Sequence, residues 1–271
     1  KASIKKYLVQ SIDLELIDPT YMFVVPNITV QYDASLTTYS ASEIASLVAD
    51  RIATYETNNL NSFDGSFWFS KFLKYIDQTD DSIVGTTALI DLQKRFIPST
   101  TTKNTYEVHF NNELEKFGDW NAANLSGSAS MRHPGFGFIS STAFSTSEHA
   151  TSYLEDNGFG VLRIFYKDAS GSFGKIYTNY DAGTVNYDTG EVSIEEFLPT
   201  SVANGGTISI NARPRSFNIT PVRNQILLFT GSRITVEDYN SKSILAKLGT
   251  VDTLGNSVSI TSSLTNINNG F

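Results

Sequence analysis

Asn59-Leu60-Asn61-Ser62-Phe63-Asp64-Gly65-Ser66-Phe67-Trp68-Phe69-Ser70-Lys71 lies at the centre of a block running from Val24 to Pro98. Turn-forming residues lead into three consecutive aromatics. A cluster of this kind, folded between helices, builds a packing surface and offers no reacting group. Three successive side chains cannot all face one way. The pattern therefore predicts that at least two of Phe67, Trp68 and Phe69 enter the core. The remaining one is exposed or covered by a partner, and a covered aromatic is a typical interface anchor.

Working outward, a helix is predicted on each side of this stretch. Ile44, Leu47, Val48, Ile52 and Tyr55 recur at helical spacing over about 41–58. Ser40 and Glu43 form a capping box ahead of them, each side chain satisfying an orphan backbone N–H. Phe69, Phe72, Leu73 and Ile76 make one apolar stripe over about 67–78, and Asp77 to Asp81 ends it. Strands are predicted over 22–32, where Ile28, Val30 and Tyr32 alternate, and over 86–97, which stops at Pro98. Pro26 removes a ladder donor, which puts it at an edge or a bulge. A further alternation over 7–17 predicts a strand ahead of these.

The polar run 99–104 reads as a domain boundary, and beyond it the helical period nearly vanishes. Tyr106, Val108 and Phe110 alternate with Glu107, His109 and Asn111. Residues 118–158 are rich in Ser, Ala, Asn, Gly and Thr and read as a long loop with dockable aromatics at Phe136, Phe138 and Phe144. Residues 159–166 form a strong strand. Val185 and Tyr187, then Val192 and Ile194, flank Asp188-Thr189-Gly190 and predict a hairpin whose glycine supplies positive φ. Strands around 208–210, 215–220 and 225–229 follow. The fold expectation is α+β. A strand-helix-helix-strand domain over 1–98 precedes a mainly β domain over 105–235 with its long loop 118–158, and then a polar C-terminal tail or exchanged strand over 236–271.

Charge and composition exclude several roles. Lys+Arg is 20 against Asp+Glu 28, a formal net charge of −8, and the basic cluster Lys1, Lys5, Lys6 stands alone at the start. Phosphate backbones need concentrated cations, so nucleic-acid binding is not expected. No apolar stretch approaches the roughly 18 residues of a membrane span, and there is no signal peptide, so no membrane partner is expected. The absence of cysteine excludes disulfides and thiolate metal sites and fits folding in a reducing cytoplasm. Because Lys1 is not a start Met, the chain reads as the remainder of a longer protein.

The titratable residues show no reactive pattern. His109, His133 and His149 read as solvated, since no pair has i, i+4 spacing or an adjacent acidic ligand. There is no G-x-S-x-G for a serine nucleophile. Gly135-Phe136-Gly137 and Gly158-Phe159-Gly160 open strands and not helices, so neither cradles phosphate. Glu195 and Glu196, neighbours on a strand, point to opposite faces and cannot share a glycosidase cleft. Asp80-Asp81 reads as a turn or the N-cap of the next element. Asp238-x-Asn240 lacks the glycine and the final Glu of a calcium loop. No catalytic, cofactor-binding or metal-ligating residue is expected, and no cofactor or small-molecule substrate.

The residues that remain carry a family likeness. Asn27-Ile28-Thr29-Val30-Gln31-Tyr32-Asp33, the helix end Arg51-Ile52-Ala53-Thr54-Tyr55, Leu60-Asn61-Ser62-Phe63-Asp64, Phe69-Ser70-Lys71-Phe72, residues 76–83 and Lys94-Arg95-Phe96-Ile97-Pro98 resemble the baseplate wedge proteins of T-even-type contractile bacteriophages, within the baseplate J-like family. Residues 185–192 and 221–227 look like the downstream part of the same protein. The resemblance implies the C-terminal part of a structural, non-enzymatic virion protein, assembled in the host cytoplasm. It implies pairing with a second copy and with other wedge proteins, so that six wedges join in a ring around a hub. The alternative reading is a carbohydrate-binding or hydrolytic β-domain of a phage tail. Against it stand the two tryptophans and the lack of a carboxylate pair suited to a cleft.

Overall fold

A computed structural model of the chain describes residues 18–63, 65–116, 138–167 and 174–240. The expected strand over 7–17 and the part of the tail beyond residue 240 lie outside them, as does the 118–137 part of the expected long loop, with Phe136 and the Gly135-Phe136-Gly137 run. The described residues group into two compact units. One draws on the described parts of 18–25, 59–68 and 90–230, the other on 26–58, 69–89 and 231–240. The polar run 99–104 thus falls inside the first unit.

In the second unit, helix α1 (Ala41–Asn59) buries Ile44, Val48, Ile52 and Tyr55, and α2 (Phe69–Asp77) buries Phe72 and Ile76. Each such aliphatic or aromatic side chain taken from water contributes roughly 1.5–3 kcal/mol. The capping box is formed: Ser40 N–H donates to Glu43 Oε2 at 2.7 Å, and Glu43 N–H points at Ser40 Oγ at 3.4 Å. The edge of the Tyr55 ring meets Phe72 at 5.2 Å, and the Arg51 guanidinium lies 3.9 Å above Tyr75. Strand β1 (Thr20–Tyr32) buries Ile28, Val30 and Tyr32, as its alternation predicts. The far strand of this unit, β13 (Arg233–Asp238), pairs parallel with β1 from Asn27↔Arg233 to Tyr32↔Asp238.

In the first unit, β12 (Gln225–Phe229) pairs parallel with the start of β1, Thr20↔Gln225 to Val24↔Phe229. Pro26 falls in the gap between the β12 and β13 registers, where a missing donor costs least. Strand β2 (Ile83–Phe96) then pairs with β11 (Ile208–Ala212), and the order continues β4 (Ile139–Ser141), β6 (Ser152–Asp156), β7 (Val161–Lys167), β8 (Lys175–Asn186), β9 (Glu191–Phe197), β3 (Asn104–His109). Short β5 (Phe144–Ser145) and β10 (Ser201–Val202) pair off this path.

The path returns on itself within the unit. After β3, Glu115 N–H donates to Arg213 C=O at 2.9 Å and Arg215 N–H to Glu113 C=O at 2.9 Å, beside an antiparallel Leu114–Pro214 bridge. Residues 113–115 thereby pair with the continuation of β11, on the edge where Arg213 N–H also meets Phe138 C=O next to β4, so the hydrogen-bonded path returns to the β11 line as a ring of strands. Closure satisfies edge donors that would otherwise face water or another chain. Phe96, Tyr106, Phe144 and Phe197 pack with one another inside this unit, at centroid distances of 4.9 Å for Phe96–Tyr106 and 5.0 Å for Phe144–Phe197.

These observations overturn the α+β expectation. Among the described residues thirteen strands join one hydrogen-bonded sheet, and only α1 and α2 exceed a single helical turn. The protein is mainly β. The cause is visible in residues 139–156, read as loop and found as β4, β5 and β6. Ser141 and Ser152 occupy buried positions there, so the apolar alternation is interrupted. The Ser141 hydroxyl accepts the Leu154 N–H at 2.8 Å, which lets a polar side chain sit inside. Conversely, residues 215–220, expected as a strand, make only the isolated Phe67–Ile219 bridge beyond Pro214.

Candidate interaction surface

The Asn59–Trp68 segment is fixed from inside the first unit. Leu60 and Phe67 are fully buried. Leu60 C=O accepts Ser62 N–H at 2.6 Å, and Ser62 C=O accepts Gly65 N–H at 3.1 Å, a tight reversal. A Cβ on Gly65 would stand 2.3 Å from the Leu60 carbonyl oxygen, so only glycine fits the return. Phe67 then exchanges both backbone hydrogen bonds with Ile219, at 2.8 and 2.9 Å, and its ring meets Phe229 edge-on at 5.9 Å. With Phe67 pinned inward, the next side chain must turn outward. Trp68 is 45% exposed, and Phe63 on the same segment 54%. Phe69 is half-buried. One of the three aromatics therefore faces solvent, as the sequence predicts, and it is the one with the largest apolar surface.

The titratable residues named from sequence fall in three environments. Asp80 accepts from Ser82 N–H at 2.9 Å and from the Ser82 hydroxyl, a turn feeding β2. Asp238 accepts Asn240 N–H at 3.0 Å, and the Asn240 amide donates to Asp33 at 2.6 Å, which closes the end of β13 onto the end of β1. Glu195 and Glu196 are exposed, and Glu196 pairs with Lys103 at 3.2 Å. His133 lies outside the described residues. His149 is not solvated as expected: it is half-buried, with its ring stacked on Tyr166 at 3.7 Å.

Two buried polar groups in the first unit were not anticipated. The Asp156 carboxylate accepts Ile139 N–H at 2.8 Å, Gly158 N–H at 3.2 Å and the Tyr187 hydroxyl at 2.5 Å. Burial pushes Asp156 above the ordinary carboxylate range, against the lowering by these donors. Burial and the adjacent carboxylate push Tyr187 upward too. On the other face of β6, Glu155 receives Arg163 at 3.3 Å, Lys175, and the Tyr177 hydroxyl at 2.6 Å. Burial, then the Glu155 hydrogen bond, push Tyr177 up to about 12. Glu155 ties β6 to β7 and β8, and Asp156 ties it to β4 and to Tyr187 at the end of β8. Each carboxylate is occupied by several donors, which suits a structural tie.

Glu107, His109 and Glu191 also meet. His109 Nε2 lies 3.6 Å from Glu107 Oε2, and Nδ1 lies 3.9 Å from Glu191 Oε1. The signal was present in the sequence. On a strand, one face recurs at i, i+2, so Glu107-Val108-His109 is the β counterpart of the helical i, i+4 pair. The cross-strand member, Glu191, is set by register and has no local signature.

Residues 20–95 match the family described as Baseplate structural protein gp6, C-terminal domain III. The chain is also similar to a protein of Enterobacteria phage T4 described as Baseplate wedge protein gp6. The two are 28% identical over 120 residues, covering 42% of this chain and 17% of that protein. The match thus takes in less than a fifth of the relative's length. The resemblance to the C-terminal part of baseplate wedge proteins is borne out.

Proposed function

We propose that this chain, whose residues 20–95 match a baseplate C-terminal domain III, is a structural component of a contractile phage tail baseplate. The observation that carries the reading is that match, supported by the separate similarity to a T4 wedge protein. Its work is association: it joins wedges into a ring through a second copy of itself and through other wedge proteins, in the virion, after assembly in the host cytoplasm. No chemical turnover is part of the role.

The geometry supports a division of labour within one segment. Phe67 holds the fold and Trp68 presents a large amphipathic ring outward. Rigid aromatics with few rotamers make efficient contact anchors, because little entropy is lost when they are covered. Switching during tail contraction would require interfaces that differ between two states. The test is sedimentation of the purified chain with and without Trp68→Ala, alongside thermal melts. Loss of self-association with an unchanged melt supports the reading. An unchanged oligomer with a collapsed melt shows that Trp68 serves the core and defeats it.

A further inference from the structure

We propose that Glu107, His109 and Glu191 bind one divalent transition-metal ion of the Zn2+ class, on the exposed face of the β3–β9 ladder. The antiparallel register sets His109 directly opposite Glu191, and Glu107 lies two residues before His109, hence on the same face. One donor atom from each residue lies within 4.8 Å of the other two. The imidazole thus stands between two carboxylates at 3.6 and 3.9 Å, contact distances beyond a hydrogen bond. The two carboxylates repel each other, and a cation placed among the three groups removes that repulsion.

The donor set selects the ion. One imidazole nitrogen with two carboxylate oxygens suits Zn2+, Co2+ or Ni2+, with ligand bonds near 2.0–2.2 Å. Ca2+ prefers six to eight oxygens, and Mg2+ keeps most of its waters, so neither is favoured here. Only side-chain rotation is needed to bring the donors in, because the Cα positions are already fixed by the ladder. The Glu107, His109 and Glu191 side chains are 61%, 49% and 44% exposed, so an ion can enter and a fourth position stays open to water or to a donor from a neighbouring chain. A bound ion would fasten β3, the last strand of the path, to β9.

Co2+ titration of the purified chain, read by the visible absorption of four-coordinate cobalt and by displacement with Zn2+, tests this. The expected result is one saturable ion per chain, with a melting temperature raised by Zn2+ and restored by a chelator. His109→Ala should weaken binding by about tenfold or more and abolish the Zn2+-dependent rise, and Glu191→Gln should weaken it less. Neither exposed substitution should alter the metal-free melt. Failure of the wild-type chain to saturate, binding unchanged in His109→Ala, or equal uptake of Ca2+ would overturn the proposal. None of these outcomes bears on the association reading, which does not depend on the ion.

Discussion

The two compact units of this chain are organised by different kinds of contact. Apart from the β1–β13 pairing, the unit holding α1 and α2 rests on neighbours in sequence: helical apolar spacing, a four-residue capping box, an aromatic contact between Tyr55 and Phe72. The unit holding the strand ring rests on partners far apart. Residues 113–115 meet 213–215, and Arg213 grips Asp91 with Nε–Oδ1 at 2.8 Å and Nη2–Oδ2 at 3.3 Å. Local order can be disturbed one turn at a time, whereas a closed ladder carries a defect around the ring. Substitutions should therefore cost more in the ring unit than in the helical one.

Phe67→Ala should give the largest effect, about 3–5 kcal/mol, because it empties a fully buried site and leaves Phe229 without its edge contact. Denaturant unfolding would check it. Gly190→Ala comes next. Gly190 has φ +73°, and a Cβ there would stand 2.3 Å from Asn112 C=O, so the exchange, which stabilises by about 0.4–1 kcal/mol at strain-free sites, should here destabilise by more than that. In the helical unit, Ser40→Ala should cost about 1 kcal/mol, the worth of an N-cap. If Ser40→Ala destabilised the chain more than Gly190→Ala, the comparison would be reversed.

The units should also respond oppositely to pH. Glu43 sits below the ordinary range because Ser40 N–H, then the Ser40 hydroxyl, hold its carboxylate. Its folded pKa is depressed, so its contribution is fully present above the unfolded value of about pH 4.3 and is lost as pH falls from there through the lower folded value. Asp156 is raised by burial. Its folded pKa lies above the unfolded value of about 3.9, so its contribution is greatest below that and declines as pH rises toward the folded value. Melting temperatures of wild type against Glu43→Gln and against Asp156→Asn, taken across mildly acidic pH, should give differences that slope in opposite directions. Parallel slopes would break the contrast.

What could be read from the residues follows the same division. The helical spacing of Ile44, Val48 and Ile52 and the Ser40–Glu43 box need only local sequence, and the structure has α1 at Ala41–Asn59. The Val185–Val192 hairpin is equally local, and its register is as the alternation implies. The strands β4 to β6 were missed because Ser141 and Ser152 face inward and interrupt the apolar alternation, and a buried hydroxyl reads as a loop residue. The strand ring was illegible because no local pattern encodes a pairing of Glu115 with Arg213. The same holds at the sites: Trp68 could be named within a trio, but Glu191 beside His109 could not.

Trp68→Ala is expected to have the smallest effect on stability, because the ring is already half in water and its backbone is held through Phe67. It is also the substitution that most directly tests association as the role of this chain. Sedimentation velocity over a concentration series is the decisive measurement. Wild type is expected to form a reversible dimer and Trp68→Ala to remain monomeric at the same concentrations, with melts that coincide. A wild-type chain that stays monomeric throughout, or a Trp68→Ala chain that dimerises as tightly as wild type, would contradict that role.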